Sequence, residues 1–130
     1  MTTTTYTKGT NAPLSEHFSS KELACHCGCG FLPTQEFINL LEKIREGFGK
    51  PLIINSGARC RTYNTKIGGA RFSAHCEGIA VDIARNEEFL IWITERLDHY
   101  NLWMEDSTQT PTWHHIDTKY RPVGRIFKAK

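Results

Sequence analysis

The sequence holds no apolar run approaching the ~20 residues of a membrane span, no internal repeat and no candidate linker. Insertion into a bilayer and a modular, multi-domain layout are both excluded as expectations. It also lacks a charge imbalance. Against 16 Lys+Arg stand 14 Asp+Glu, so the net charge of +2 provides no strong field for nucleic acid. The start, Met1-Thr2-Thr3-Thr4-Thr5, has no charged residues followed by an apolar segment and does not read as a secretory signal. The chain is therefore expected to be made in the cytoplasm and, if it acts outside, to be released by other means. Only the segment 119–130 is locally basic, with Lys119, Arg121, Arg125, Lys128 and Lys130 and no acid. It reads as a solvated tail, with contact to an anionic polymer as the alternative.

What is present fits one soluble domain. A chain of 130 residues, 39% hydrophobic and 23% charged, is large enough for a single core. Residues 1–13 are Thr-rich without apolar periodicity and are expected to form a loose leader; residues 14–130 are expected to form the domain. Five cysteines are many for this length. Three alternate in Cys25-His26-Cys27-Gly28-Cys29, while Cys60 and Cys76 lie apart. Without an export signal, reduced thiols or a metal site are favoured over disulfides. Cys25, Cys27, Cys29 and Cys60 are candidates for a structural metal site, although the alternation is not the two-residue spacing of zinc fingers. A Cys25–Cys60 type of disulfide formed after release, or cysteines with no bond, are the alternatives. Cys76 is expected to face away from its neighbour His75.

The periodicities alternate between helix and strand. Ser19 or Ser20 caps a short helix with Glu22 in its first turn. Thr34 caps a longer one, in which Phe37, Leu40, Leu41, Ile44 and Phe48 recur at helical spacing and Gly47 and Gly49 end the element. Residues 51–56 form a β-branched strand, and 57–72 read as a long functional loop. A strand over 78–84 follows. Asn86 then caps a second helix, with Phe89, Leu90, Ile93 and Leu97 on its buried face, ending near 99–101. Strands are expected from Leu102, over 113–117, and at an edge within 121–128. The fold class is α+β.

The chemistry concentrates around Ser73-Ala74-His75-Cys76-Glu77-Gly78-Ile79-Ala80-Val81-Asp82-Ile83. Ile79, Val81 and Ile83 alternate with Ala80, Asp82 and Ala84, so one face of this strand is buried. A carboxylate in such a segment is costly unless it is paired or bound to a metal. His75, just before the Gly78 turn, can fold back towards Asp82. In the strand 113–117, Trp113, His115 and Asp117 share one face and His114 and Ile116 the other. His75, Asp82 and His115 are then two imidazoles and one carboxylate. That is the donor set of catalytic zinc, in which three protein groups leave a fourth position open.

Ser73-x-His75-x-x-Gly78-x-Ala80-x-Asp82-Ile83, followed by Trp113-x-His115-Ile116-Asp117, resembles the zinc D-alanyl-D-alanine carboxypeptidases. That family includes murein endopeptidases of bacteria and phage endolysins and shares its fold with the hedgehog signalling domain. Leu14-Ser15-Glu16-His17-Phe18, Gly49-Lys50-Pro51-Leu52, Ser56-Gly57-Ala58-Arg59 and Asn64 with Gly68-Gly69-Ala70 extend the resemblance over residues 14–118. It implies a single domain with an antiparallel sheet flanked by helices, and one catalytic Zn2+ on His75, Asp82 and His115, with a second, structural ion possible at the cysteines. It also implies that Arg59 stands near the substrate carbonyl or carboxylate, where a guanidinium neutralises a developing oxyanion; a loop-stabilising salt bridge is its other reading. Ser73 and Asn64 are expected on the substrate side, Ser73 alternatively only shaping the turn before His75.

The general base is where this chain departs from the family pattern. Some members carry an acid three residues before the last histidine ligand, where this chain has Thr112. Others carry a histidine two residues before, where it has Trp113. The candidates left are Asp117, which can equally orient His115 or an arginine, His114, and the loop acids Glu105 and Asp106. Glu77 is expected at the surface. The implied activity is zinc-dependent hydrolysis of peptidoglycan stem peptides or cross-links, as a D,D-carboxypeptidase or endopeptidase. The enzyme is expected to be monomeric and to act on the cell wall after release, as a phage lysis enzyme does. The alternative is a non-catalytic zinc-binding domain that binds peptide or a partner protein. A cysteine–zinc nucleic-acid module is disfavoured by charge and spacing.

Overall fold

A computed structural model describes residues 11–128. Most of the expected leader, residues 1–10, lies outside the described residues, as does Lys130 of the basic tail. Ala12 and Pro13, assigned to the leader, are tied to the domain: Ala12 and Ser20 exchange bonds of 2.8 Å, and Pro13 bridges to Ser19. Helix α1, Ser20–Leu23, opens with the Glu22 carboxylate accepting from the Ser19 N–H at 2.9 Å. Helix α2, Gln35–Phe48, starts where Thr34 accepts from the Phe37 N–H and buries Phe37, Ile38, Leu41 and Ile44.

Five strands form one sheet in the order β1-β2-β4-β3-β5: β1 Ile54–Ser56, β2 Ala80–Ala84, β3 Trp103–Glu105, β4 Trp113–Asp117 and β5 Ile126–Phe127. All pairings are antiparallel except β3–β5, which is parallel, so the sheet is mixed rather than antiparallel throughout. A chain that leaves β4 and returns along the outer edge of β3 can run in the direction of β3 without a crossover helix.

The two faces of β2 and β4 divide structure from chemistry. Val81 and Ile83 of β2, Ile116 of β4 and Met104 of β3 join the core with Phe37, Leu41, Ile44, Phe89 and Ile93. The opposite face carries Asp82 directly across from His115, and Ala80 across from Asp117. Cross-strand partners in an antiparallel pair hold their Cβ atoms ~5 Å apart on one face, so register alone brings these ligand candidates together.

Three segments depart from the sequence reading. Residues 57–72 are not a continuous loop, because Arg61–Lys66 form helix α3 behind a Cys60 N-cap. The run is polar and short, which leaves no apolar stripe to announce it. The strand expected from 78 begins at Ala80, since Ala74–Glu77 wind into a 3-10 turn closed by Gly78 at φ +72°. A Cβ disfavours that left-handed conformation. The second helix is two helices, α4 Glu87–Thr94 and α5 Leu97–Tyr100.

Candidate active site

The 3-10 turn delivers His75 onto the polar face of the sheet. Its Nε2 lies 3.1 Å from Asp82 Oδ1, and His115 Nδ1 lies 2.9 Å from the same oxygen. The imidazole rings are 5.1 Å apart, at 64° to each other. Three ligands about 2.0–2.2 Å from a tetrahedral metal stand ~3.3 Å from one another, and the observed spacings lie close to that. One donor atom from each of these residues falls within 4.8 Å of the others.

The far side of each imidazole is fixed. His75 Nδ1 donates to the Gly57 carbonyl at 2.6 Å, which leaves Nε2 as the ring atom facing Asp82. His115 Nε2 donates to Asp117 Oδ2 at 2.7 Å, which leaves Nδ1 facing inward. Asp117 is held in turn by Arg121, through bonds of 2.8 and 3.1 Å, and by the Lys119 N–H. Histidine ligands backed by a carbonyl or carboxylate are the usual arrangement around a protein-bound metal. The second oxygen of Asp82 accepts from Arg59 Nη2 at 3.1 Å, so Oδ1 alone faces the imidazoles.

Electrostatics follows the geometry. Burial would raise the Asp82 pKa, but hydrogen bonds from His115 and His75 outweigh it and hold the carboxyl well below its ordinary range. Burial would lower that of His115, and the bonds to Asp117 and Asp82 instead carry it to about 9 in the metal-free chain. Glu105 moves the other way. Burial, with the Asp82 charge adding to it, pushes its carboxyl above the usual glutamate range despite opposing attraction from His115.

A cleft of about 220 Å³ opens over the three ligand candidates, and Arg59, Ser73, Glu105 and Arg121 stand on its walls. Not every sequence candidate reaches it. His114 points into the core face, wholly buried, where its ring accepts from the Asn86 N–H at 3.0 Å and packs on Phe89. Alternation along β4 makes that placement unavoidable once His115 faces the cleft, so the structure removes His114 from the catalytic candidates. Asn64 is buried and spends its side chain on Arg59 Nη1 and the Ala70 carbonyl, beside the cleft rather than in it. Asp117 is fully buried, with both oxygens engaged. Asp106 accepts from Thr108 and faces away. Glu77 pairs with Lys119 at the surface.

A family model described as "Peptidase M15" matches residues 16–117. The chain belongs to the peptidase M15 family. A search of curated proteins and a search of solved structures returned no match.

Two features of this M15 peptidase are poorly marked in the sequence. Nothing in the spacing separates Glu105 from Asp106; their placement depends on where β3 ends against β4. Arg121 reads as part of a basic tail, whereas it clamps Asp117 and stacks 3.6 Å over the Phe127 ring. Among the described residues no helix is long and apolar enough to cross a membrane.

Proposed function

We propose that this M15 chain is a zinc metallopeptidase that hydrolyses amide bonds in peptidoglycan stem peptides or their cross-links. The observation that carries the reading is the convergence of His75 Nε2, Asp82 Oδ1 and His115 Nδ1 beneath the cleft, each imidazole pinned from behind. These donors suit zinc in type, number and spacing. When bound there, zinc supplies a Lewis acid that polarises a carbonyl and makes water acidic near neutral pH.

The protein's own groups supply the rest. Glu105 is our candidate general base: it lines the cleft, and its raised pKa places it nearer neutrality, where proton transfer is most effective. It takes a proton from the attacking water and returns it to the leaving nitrogen. Arg59 combines both readings of its role. Its bonds to Ser56, Asn64 and Asp82 fix the guanidinium. One N–H on each terminal nitrogen then remains for the oxyanion or a terminal carboxylate of the substrate. Asp117 is a positioning residue that acts through His115, and Asn64 one that acts through Arg59. Ser73 accepts from the His75 N–H and has its own hydroxyl proton free to bond substrate at the cleft wall.

Every group in this scheme comes from one chain, so a monomer suffices. The substrate's location implies action at the cell wall, with phage lysis as the setting of this reading. Purified chain incubated with muropeptides, with and without a chelator and beside His75→Ala, tests the proposal. Mass spectrometry of the products is expected to show cleavage by the untreated parent alone. Zinc bound at the three ligands with intact muropeptides throughout would instead establish the non-catalytic binding domain.

A further inference from the structure

Four cysteines gather away from the cleft and take no part in the chemistry above. The sulfurs of Cys25, Cys27, Cys29 and Cys60 all lie within 4.8 Å of one another. Cys25 Sγ is 3.4 Å from Cys27 Sγ and 3.8 Å from Cys60 Sγ, and Cys27 and Cys60 are 3.7 Å apart. A disulfide requires about 2.0 Å. Thiolates about 2.3 Å from a tetrahedral metal stand ~3.8 Å apart. The separations are those of a coordination shell, and no pair among the four is bonded.

The backbone explains how an alternating triplet can ligate without the spacing of a zinc finger. The loop closes on itself where the Cys25 N–H donates to the Phe31 carbonyl at 2.9 Å and the Gly28 N–H to the Cys25 carbonyl at 3.1 Å. Gly28 at φ +83° makes the left-handed turn, and sulfurs that would stand roughly 6.6 Å apart along one face of an extended strand are drawn together. The fourth comes from the N-cap of α3. Cys60 Sγ accepts from the Tyr63 N–H at 3.4 Å, and Cys25 Sγ accepts from the Cys60 N–H at 3.3 Å.

We propose that Cys25, Cys27, Cys29 and Cys60 bind one structural zinc ion as a tetrathiolate, a site separate from the catalytic one. On binding, each thiol loses its proton to solvent and no electron is transferred. Four sulfurs fill the coordination shell and leave no open position, which makes the site structural rather than catalytic. Its place in the fold gives it a purpose. Cys60 follows Arg59, whose N–H donates to the His75 carbonyl at 3.0 Å, and the Ala58 N–H donates to the Leu23 carbonyl at 2.8 Å. The ion fastens the segment that carries Gly57 and Arg59 to the loop after α1.

Metal analysis of the reduced, full-length chain tests the proposal. Zinc content is expected to fall from about two equivalents to about one in either His75→Ala or Cys27→Ser. Cys27 is exposed, so its substitution opens no core cavity. Should Cys27→Ser not fold, the cobalt-loaded His75→Ala chain decides. It is expected to show thiolate-to-cobalt charge-transfer bands and the intense visible bands of tetrahedral cobalt. A His75→Ala chain free of metal, or cobalt spectra without thiolate bands, would each overturn the site.

Discussion

Glu105 and Asp117 are both carboxylates near His115, and their surroundings give them opposite tasks. Asp117 is buried between Arg121 and His115 and held below the ordinary carboxylate range. Burial opposes that shift, and the bonds from His115 and Arg121 outweigh it. It cannot readily exchange a proton, but it can fix the His115 tautomer. Asp117→Asn is expected to weaken zinc binding ~10–100-fold, measured by competition with a chromogenic chelator. Glu105 stands on the cleft wall with a raised pKa. Glu105→Gln is expected to lower kcat by ~10²–10⁴-fold while zinc content stays unchanged. The sign of the pH effect follows from the base form. Activity of the parent rises as Glu105 loses its proton, and this acid limb disappears in Glu105→Gln. A pH–kcat/KM profile of both chains checks it. At this scale the sequence displays the ligand candidates, because a carboxylate and an imidazole in apolar strands, with a second imidazole just before a glycine turn, are chemically conspicuous. It does not display the base, since side-chain identity says nothing about which acid the sheet edge turns inward.

Strand register assembles the site. Asp82 opposite His115 is one pairing among five between β2 and β4, and a one-residue slip of either strand would turn its ligand candidate into the core. The alternation that excludes His114 from the cleft also buries Ile116 beneath His115. Ile116→Ala is expected to cost about 2–5 kcal/mol, read as a lower urea midpoint with unchanged slope. Strand periodicity makes both faces of β2 and β4 legible in the sequence, and the Thr34 and Asn86 caps announce α2 and α4. Helix α3 was not legible, because Arg61–Lys66 is too short and polar to show a helical stripe. The parallel β3–β5 pairing is equally silent, as strand direction leaves no trace in local composition.

At the scale of the molecule, long-range polar ties join what the core does not. The Glu42 carboxylate of α2 accepts from the Ser15 hydroxyl at 2.6 Å and the His17 N–H at 2.9 Å, and it pairs with the His17 ring. Burial alone would raise its pKa, but the bonds from Ser15 and His17 depress it. A depressed carboxylate contributes stability above its unfolded pKa of ~4.3, and that stability is lost as pH falls through the folded value. Glu42→Gln is therefore expected to lower Tm at pH 7 and to flatten the loss of stability on acidification, measured by calorimetry from pH 7 to pH 3. The cysteine cluster belongs to this scale too. It joins residues 25–29 to residue 60, a grouping the sequence offers as a candidate and the fold brings within 4.8 Å. The central claim is that His75, Asp82 and His115 form a catalytic zinc site. Anomalous diffraction at the zinc edge from crystals of the zinc-loaded chain tests it most directly. The account predicts a peak about 2.0–2.2 Å from His75 Nε2, Asp82 Oδ1 and His115 Nδ1, with a fourth position open to the cleft. No peak there, or a peak ligated by other atoms of the chain, would contradict it.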